Sequence, residues 1–255
     1  YLFGGVVSIL REGESLGSFY LYESNGVFST AKEAAEAGYI DKISKSNGGQ
    51  PVAGDARWVD QNKDGVIDTK DKIIAGNPIP DFTGGLNNTF KYKGLSLDAF
   101  FQFSKGNDVY NNFRTDLVRG FNTNYLKENL DAWKQEGDIT DVPRNVLLDP
   151  ANNSEGVVAR PSTRFLEDGS FIKLKTVTLT YEFPNSVLEK LKLSGLKVYA
   201  KGTNLLTITK YSGFDPEVSV AQNNNAGQNG GFQFGIDRGL YPLSKSITLG
   251  LSLDF

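Results

Sequence analysis

Residues 246 to 255, Ser-Ile-Thr-Leu-Gly-Leu-Ser-Leu-Asp-Phe, give the clearest structural signal in the sequence. Every second residue from Ile247 to Phe255 is apolar, and the residues between them are small or polar. Because successive side chains of a β-strand point to opposite faces, this period of two predicts a strand with one apolar face and one polar face.

Four other segments repeat this alternation. Their apolar positions are Phe82, Leu86, Phe90 and Tyr92; Leu95, Leu97, Ala99, Phe101 and Phe103; Val177, Leu179, Tyr181 and Phe183; and Leu196, Val198 and Ala200. A less regular strand is expected from Phe3 to Ile9. The chain is therefore predicted to be all-β, with about six antiparallel strands.

The connections between these segments alternate between short and long. Lys93-Gly94 and residues 184 to 195 are short joints, whereas the connections over residues 11 to 81, 113 to 169 and 209 to 243 far exceed a typical loop of about five residues. Short periplasmic turns alternate with long extracellular loops in outer-membrane barrels. A soluble β-sandwich, which the strand pattern alone leaves open, has no reason to alternate in this way. We therefore expect the strands of a large antiparallel transmembrane β-barrel with long extracellular loops.

Aromatic residues give a second indication of a membrane wall. In this topology several aromatic residues lie at strand ends on the same side of the barrel: Phe90, Tyr92, Tyr181, Phe183 and Phe255. Aromatic rings prefer the level of the lipid headgroups, so this side is expected to be the periplasmic interface. The alternative is that these rings belong to a protein core.

The composition narrows the functional classes. The chain has neither cysteine nor histidine, which excludes disulfides and thiolate metal sites and removes the usual general base near neutral pH. Its net charge is only −3 and its basic residues are scattered, so no nucleic-acid partner is expected. We expect no enzyme. A glycosidase with two carboxylates about 5 to 10 Å apart is the enzymatic possibility that the sequence leaves open.

Several motifs together resemble one protein family. They are Gly-Asp-Ala-Arg-Trp at 54–58, the acidic segment at 60–71, Gly-Asn-Pro-Ile-Pro-Asp-Phe at 76–82, Gly-Asn-Asp-Val-Tyr-Asn at 106–111, Asn-Leu-Leu-Thr at 204–207, Gly-Phe-Asp-Pro-Glu at 213–217, and Tyr-Pro at 241–242 leading to Phe255. In this order and approximate spacing they resemble a stretch near the C-terminus of the SusC/RagA-like TonB-linked outer-membrane proteins. The resemblance covers nearly the whole chain.

The resemblance implies a barrel of about 22 strands with an N-terminal plug. Such a barrel lies in the bacterial outer membrane and, driven by TonB, imports glycan or peptide fragments beneath a SusD-like surface lipoprotein. Residues 1–255 would be the C-terminal part of the barrel, with the plug, the segment that contacts TonB and the earlier strands upstream of Tyr1. The expected partners are the SusD-like lipoprotein, TonB, the upstream barrel strands and outer-membrane lipid.

Residues 60 to 71 have the spacing of a calcium-binding loop, with oxygen-bearing side chains at loop positions 1, 3, 5, 9 and 12 and a glycine at position 6. The expected ligands are Asp60, Asn62, Asp64, the carbonyl of Val66, Asp68 and Asp71. Calcium takes about six to eight oxygens at about 2.3 to 2.6 Å, so we expect a structural Ca²⁺ that stiffens a long loop. The alternative is an acidic surface turn held by Asx-type side-chain hydrogen bonds.

Two further groups of residues are candidates for ligand contact. Aromatic residues in or beside the long loops have the chemistry to stack on sugar rings: Trp58, Tyr211, Phe214, Phe232, Phe234 and Tyr241. The alternative is packing between neighbouring loops. The polar faces of the strands are expected to line the lumen with both charge signs: Asp98, Gln102, Glu182, Lys197 and Lys201.

Two functions from different classes compete at this point. The first is an import barrel that works with a lipoprotein partner. The second is a soluble, calcium-stabilised β-sandwich that binds carbohydrate. They differ in one observable property, because a barrel exposes its apolar strand face to lipid and a sandwich buries that face in a dry core.

Overall fold

The structure is a computed structural model that describes residues 2–3, 7–44, 46–119, 124–146, 154–155, 158–218 and 234–255. The chain divides into two compact units. Unit 1 comprises Tyr1–Ile79, Asp108–Glu167 and Val218–Gly239, and unit 2 comprises Pro80–Asn107, Asp168–Glu217 and Leu240–Phe255.

Strands dominate both units. In chain order they are β1 (Leu2–Phe3), β2 (Ser8–Ile9), β3 (Phe19–Tyr22), β4 (Ser24–Val27), β5 (Ile40–Asp41), β6 (Ala56–Trp58), β7 (Val66–Ile67), β8 (Lys72–Gly76), β9 (Phe82–Tyr92), β10 (Leu95–Lys105), β11 (Asp108–Asn111), β12 (Ser154–Glu155), β13 (Val158–Ala159), β14 (Leu166–Asp168), β15 (Phe171–Glu182), β16 (Gly195–Thr209), β17 (Ile236–Asp237) and β18 (Ser246–Asp254).

The helices are short. They are α1 (Ala31–Ala35), α2 (Asn112–Arg119) and α3 (Asn185–Leu191), with 3₁₀ turns at Ser46–Gly49, Thr69–Asp71, Lys127–Asp131 and Thr163–Phe165. Among the residues that the structure describes, no helix is both long enough and apolar enough to cross a lipid bilayer.

Unit 2 is built on a five-stranded antiparallel sheet in the order β18-β16-β15-β10-β9. These are the five segments whose alternation the sequence shows. The turn between β9 and β10 has two residues, Lys93 with φ 45° and Gly94 with φ 81°. Positive φ at both positions gives the type I′ turn, whose twist matches that of the paired strands. Glycine is required at 94, because a Cβ there would lie 2.6 Å from the carbonyl oxygen of Glu182.

The pairing of β15 is interrupted at one point. Leu174 pairs with Phe101 and Thr176 with Phe100, so Lys175 is an extra residue opposite β10. The pairing of β15 with β16 shifts at the same place. Such a β-bulge bends the strand locally and re-aims the side chains beside it.

Unit 1 contains several small sheets and the buried hydrophobic clusters. Its larger sheets have the orders β1-β2-β3-β8 and β14-β11-β17, and three pairs, β4-β6, β5-β7 and β12-β13, complete it. One cluster consists of Val7, Phe19, Leu21, Tyr110, Val118, Phe165 and Ile236. A second consists of Tyr22, Ala56, Trp58 and Ile67. Most of this unit comes from the long connections that were expected only as loops.

The strand predicted from Phe3 to Ile9 is wrong as a strand of the barrel wall. The structure has two two-residue strands there, β1 and β2, which pair with each other in the small sheet of unit 1. The edges of the five-stranded sheet are β9 and β18. The apolar residues of this segment had no strict period of two, and that irregularity was the signal against a membrane strand.

Candidate functional site

One face of the five-stranded sheet is apolar and exposed. Leu97, Leu179, Ala200 and Leu249 stand opposite one another across four strands. On the edge strand β18, Ile247 is 75 % exposed and Leu249 is 79 % exposed. Soluble proteins rarely expose contiguous apolar patches larger than a few hundred Å². A face of this kind is typical of barrel strands that contact lipid.

The opposite face is polar. Asp98, Thr178, Lys201 and Thr248 form the corresponding row, one residue along each strand. The hydroxyl of Thr89 donates to Oδ1 of Asp98 at 2.5 Å. Near the turn end of the sheet, Nζ of Lys197 lies 2.9 Å from Oε1 of Glu182. The predicted lumen-facing residues therefore share one face, opposite the apolar one.

The predicted aromatic end of the sheet is present. Tyr92 and Tyr181 both stand opposite Leu95, next to the two-residue turn, and the rings of Tyr181 and Phe183 lie 4.9 Å apart. Phe255 follows directly after Asp254, which pairs with Gly195 at the same end of the sheet. Tyr92, Phe90 and Phe255 are exposed, so these rings are not core residues.

The polar face also carries an ion-pair cluster that the sequence reasoning missed. Nζ of Lys173 lies 2.5 Å from Oδ1 of Asp215 and 2.6 Å from Oε2 of Glu217. Nζ of Lys175 lies 2.6 Å from the same oxygen of Glu217. Partial burial raises the pKa of Glu217, but the hydrogen bonds and charges of the two lysines outweigh it and hold that pKa below its usual range. The available signal was the Gly-Phe-Asp-Pro-Glu motif, whose carboxylates had no assigned partner.

The acidic loop of unit 1 folds around its own backbone amides. Asp60 accepts hydrogen bonds from the amides of Lys63, at 2.7 Å, and Gly65, at 2.8 Å. Asn62 accepts from the amide of Asp64 at 3.1 Å, and Asp64 accepts from that of Val66 at 3.0 Å. Gly65 has φ 78°, the conformation that favours glycine at the sharp turn. The structure thus shows the Asx-type hydrogen bonds that were the alternative to a metal site.

The C-terminal part of the loop is a helix cap. Asp68 accepts from the amide of Lys70 at 2.8 Å. Asp71 is fully buried, and its carboxylate accepts from the amides of Gln61, at 3.0 Å, and Asp68, at 2.7 Å. Within the described part of the chain, no three acidic side chains lie close enough to hold a metal ion. A carboxylate offers about four acceptor positions, so the observed bonds leave lone pairs free, and calcium binding stays a prediction.

The predicted loop aromatics separate into two groups. Trp58 is buried against Tyr22, with ring centroids 6.3 Å apart, and Tyr211 is buried in unit 2. These two rings pack within the protein, as the alternative interpretation held. The others that the structure describes are exposed: Phe214, Phe234 and Tyr241. Phe232 lies outside the described residues.

Comparison with known proteins identifies relatives of the whole chain. No protein-family model matches the sequence. TonB-dependent receptor P3 of Formosa agariphila is 36 % identical over 247 residues, which are 97 % of this chain and 23 % of that protein. TonB-dependent receptor SusC of Bacteroides thetaiotaomicron is 29 % identical over 227 residues, which are 87 % of this chain and 20 % of that protein. The chain thus spans about a fifth to a quarter of the length of these curated relatives.

Solved structures agree with the sequence relatives. The RagAB peptide importer in its open-open state superimposes on the chain with a TM-score of 0.70 and 29 % identity, covering all of this chain and 24 % of that one. The predicted fold class, a stretch of strands from a large outer-membrane barrel, is confirmed. The expected location in the outer membrane is confirmed as well. The chain is therefore similar over nearly its whole length to TonB-dependent receptors, SusC among them, and to the RagAB importer.

Proposed function

We propose that this chain forms part of the wall and part of the loop region of an outer-membrane receptor that imports peptide or glycan fragments. In this function the exposed edges β9 and β18 pair with further strands, because five strands cannot close a barrel when the smallest bacterial examples use about eight. Import would be driven by TonB through the N-terminal part of the receptor. A SusD-like surface lipoprotein would cover the barrel.

The observation that carries this proposal is the exposed apolar face of the five-stranded sheet. In a soluble carbohydrate-binding sandwich, that face would pack against a second sheet in a dry core. Instead Ile247, Leu249 and Leu251 are largely exposed, and the polar face carries Asp98, Lys201 and their neighbours. An apolar face towards lipid and a polar face towards a water-filled lumen fit a transport barrel.

The relatives support a cargo of small polymers. One similar solved structure is named as a peptide importer, and another relative is SusC. We propose peptide fragments as the first cargo to test and glycan fragments as the second. The relatives are named as receptors and importers, and the chain has no histidine or cysteine, so we propose that it does no covalent chemistry on its cargo.

The test is uptake by cells that carry or lack the full-length receptor. Labelled peptide mixtures and labelled glycan fragments are offered separately, and cell-associated label is measured in the parent, in a receptor deletion and in a TonB deletion. We expect both deletions to abolish uptake of one cargo class while general permeability stays unchanged. Equal uptake of both classes in all three strains would contradict the proposal. A receptor that stays monodisperse without detergent would favour the soluble alternative.

We also propose that the loop of residues 60 to 71 binds one calcium ion. The support is the spacing of its oxygens and the tight turn in which Asp60, Asn62 and Asp64 accept hydrogen bonds from the backbone amides of residues 63 to 66. Calcium would replace solvent around these oxygens and stabilise the loop by about 2.7 kcal/mol at a concentration 100 times its dissociation constant. It would have no catalytic role.

Isothermal titration calorimetry tests this site: bound metal is first removed from the full-length receptor with a chelator, and calcium is then titrated in. We expect one binding event that disappears in the double variant Asp60→Asn/Asp64→Asn. The matched control is Glu36→Gln, which removes an exposed carboxylate at the end of α1 in the same unit. No calcium-dependent heat in the unmodified receptor, or equal heat in both variants, would leave the loop as a hydrogen-bonded turn.

A further inference from the structure

The segment Tyr211–Glu217, called the strap below, begins two residues after Thr209, the last residue of β16. It lies within unit 2 and contains the Gly-Phe-Asp-Pro-Glu motif. Its two carboxylates, Asp215 and Glu217, form the ion pairs with Lys173 and Lys175 of β15. The side-chain amide of Gln102 on β10 adds a hydrogen bond to Oε1 of Glu217 at 3.2 Å. The strap is therefore attached to two neighbouring strands of the sheet.

The position of these anchors places the strap on the polar face. Lys173 stands opposite Gln102 on β10 and opposite Thr207 on β16. These three residues lie on the same side of the sheet as Ser104 and Thr209 and opposite the apolar row. The bulge at Lys175 lets a second lysine of the same strand reach Glu217. The strap thus covers the side of the wall that faces the lumen in the proposed function.

The local conformation of the strap holds its carboxylates in place. The amide of Tyr211 donates to the hydroxyl of Thr209 at 3.1 Å, and that hydroxyl donates to the carbonyl of Ser170 at 2.8 Å. The Tyr211 ring lies so close to Gly213 that a Cβ there would come within 2.4 Å of it. Oδ1 of Asp215 accepts from the amide of Glu217 at 2.9 Å, which fixes the turn between the two acids. Because the backbone of the strap is already fixed, little conformational entropy is lost when its carboxylates form the ion pairs.

Burial explains why two carboxylates are needed. The side chain of Lys173 is only 2 % exposed, and a buried ammonium group is strongly unfavourable unless it is paired and hydrogen-bonded. Two lysines and two carboxylates make the cluster electrically neutral. Without the strap, the polar face at this level would present two uncompensated positive charges. The strap and the lysines therefore stabilise each other's positions.

We propose that the strap is a charge-clamped segment held inside the lumen, and that Lys173 and Lys175 fix it there through Asp215 and Glu217. The clamp narrows the lumen at the level of Gln102 and Thr207 and masks the charge of both lysines. This inference depends on the proposed function in one respect, namely that the polar face is the lumen face. The ion pairs themselves do not depend on which cargo is imported.

Hydrogen–deuterium exchange of the full-length receptor in detergent tests the clamp. Glu217→Gln removes the carboxylate that both lysines share, and we expect the amides of residues 211 to 217 to exchange about tenfold faster, since local opening sets their exchange. Because Asp215 still pairs with Lys173 in this variant, the barrel should fold. The matched control is Lys197→Gln, which breaks the exposed pair with Glu182 on the same sheet. Unchanged exchange in Glu217→Gln, or an equal increase in the control, would overturn the clamp.

A distance measurement tests the position of the strap. One spin label is attached at Phe214→Cys, an exposed position of the strap, and the other at Thr248→Cys, on the polar face of β18. The distance between the two labels reports how tightly the strap is held. We expect a narrow distance distribution in the receptor and a broad one after Glu217→Gln. Broad distributions in both would overturn the proposal. A receptor that fails to import either cargo but keeps the narrow distribution would refute the proposed function and leave the clamp intact.

Discussion

The five-stranded sheet and unit 1 use the same apolar residue types in opposite ways. Leu249 in the sheet is 79 % exposed, whereas Leu21 and Ile67 in unit 1 are fully buried. Burial of apolar surface contributes about 25 cal/mol per Å² only when water is the competing solvent. A strand in lipid gains nothing by hiding leucine, so its apolar residues face outward. The burial pattern therefore reports the solvent in which each region folds.

Charged residues differ between the two regions in the same way. Arg160 in unit 1 has no exposed surface, pairs with Asp41 at 2.8 Å and stacks over the ring of Trp58 at 4.5 Å. Glu182 and Lys197 in the sheet form an exposed pair. Buried pairs are costly to break because an uncompensated charge remains, whereas exposed pairs contribute little. A substitution that breaks an ion pair should therefore lower the free energy of unfolding much more in the buried part of unit 1 than on the exposed sheet.

The largest effect is expected from breaking the buried ion pair of unit 1. Asp41→Asn keeps an oxygen that can accept from the amides of Ile43 and Ser44 but removes the charge opposite Arg160. We expect unit 1 to lose about 3 to 5 kcal/mol of stability. Limited proteolysis of the full-length receptor over a urea series measures this loss. The control is Glu33→Gln, which breaks the exposed pair with Arg57 and should cost at most about 1 kcal/mol of stability. Equal losses of stability in the two variants would contradict the difference between buried and exposed pairs.

The second effect concerns the two faces of the sheet. Val177 and Thr178 are neighbours in the middle of β15 and lie on opposite faces. Val177→Arg places a charged side chain in lipid and should destabilise the barrel by about 2 to 4 kcal/mol. An arginine at 178 lies between Asp98 and Lys201 on the polar face and should have almost no effect. Folding of both variants into lipid vesicles, followed by urea titration, measures the difference. Equal destabilisation would mean that the faces are assigned wrongly.

A smaller effect is expected at the start of α1 in unit 1. The hydroxyl of Thr30 accepts from the amide of Glu33 at 3.2 Å and caps the helix. Thr30→Ala should cost about 1 kcal/mol, because one amide of the first turn loses its partner. Exchange of the amides of residues 31 to 35 measures this loss. Ser186→Ala, an exposed position in α3 of the sheet unit, is the control and should leave exchange there unchanged.

The smallest effect is a pH dependence of the strap. The pKa of Glu217 lies below its ordinary value of 4.5, so its ion pairs are complete above about pH 4.5 and are lost as the pH falls through the lowered pKa. The groups that face it are Lys173, Lys175, Gln102 and, on the strap, Asp215. The spin-label distances should broaden in acid in the unmodified receptor. In Glu217→Gln they should be broad at every pH, and a distribution that stays narrow in acid would contradict the assignment.

The strand pattern allowed most of the sheet to be predicted. Its five strands, the two faces and the two-residue turn follow from the alternating segments and from Lys93-Gly94, and the observed strands are nine or more residues long. The same rule failed from Phe3 to Ile9, where the structure forms only two-residue strands. Alternation is informative only when a strand is long enough to repeat it several times.

The calcium loop shows the limit of a spacing argument. The positions of Asp60, Asn62 and Asp64 predicted converging oxygens, and in the structure each of these side chains accepts a hydrogen bond from a backbone amide of the same turn. The same spacing also serves Asx-type hydrogen bonds, because a carboxylate accepts from an amide as readily as it binds a cation. Titration with calcium distinguishes the two.

The strands of the membrane wall can be read from the sequence, because neighbouring residues of a strand belong to opposite faces and show their polarity directly. The fold of the long connections and the attachment of the strap depend instead on tertiary contacts. The strands of unit 1 have two to five residues, and some of them pair with distant parts of the chain, as Tyr110 pairs with Ile236. Lys173 and Glu217 are likewise 44 residues apart and meet only after the sheet and the strap have formed. Such contacts depend on loop closure and burial, and neither property is visible in a local pattern.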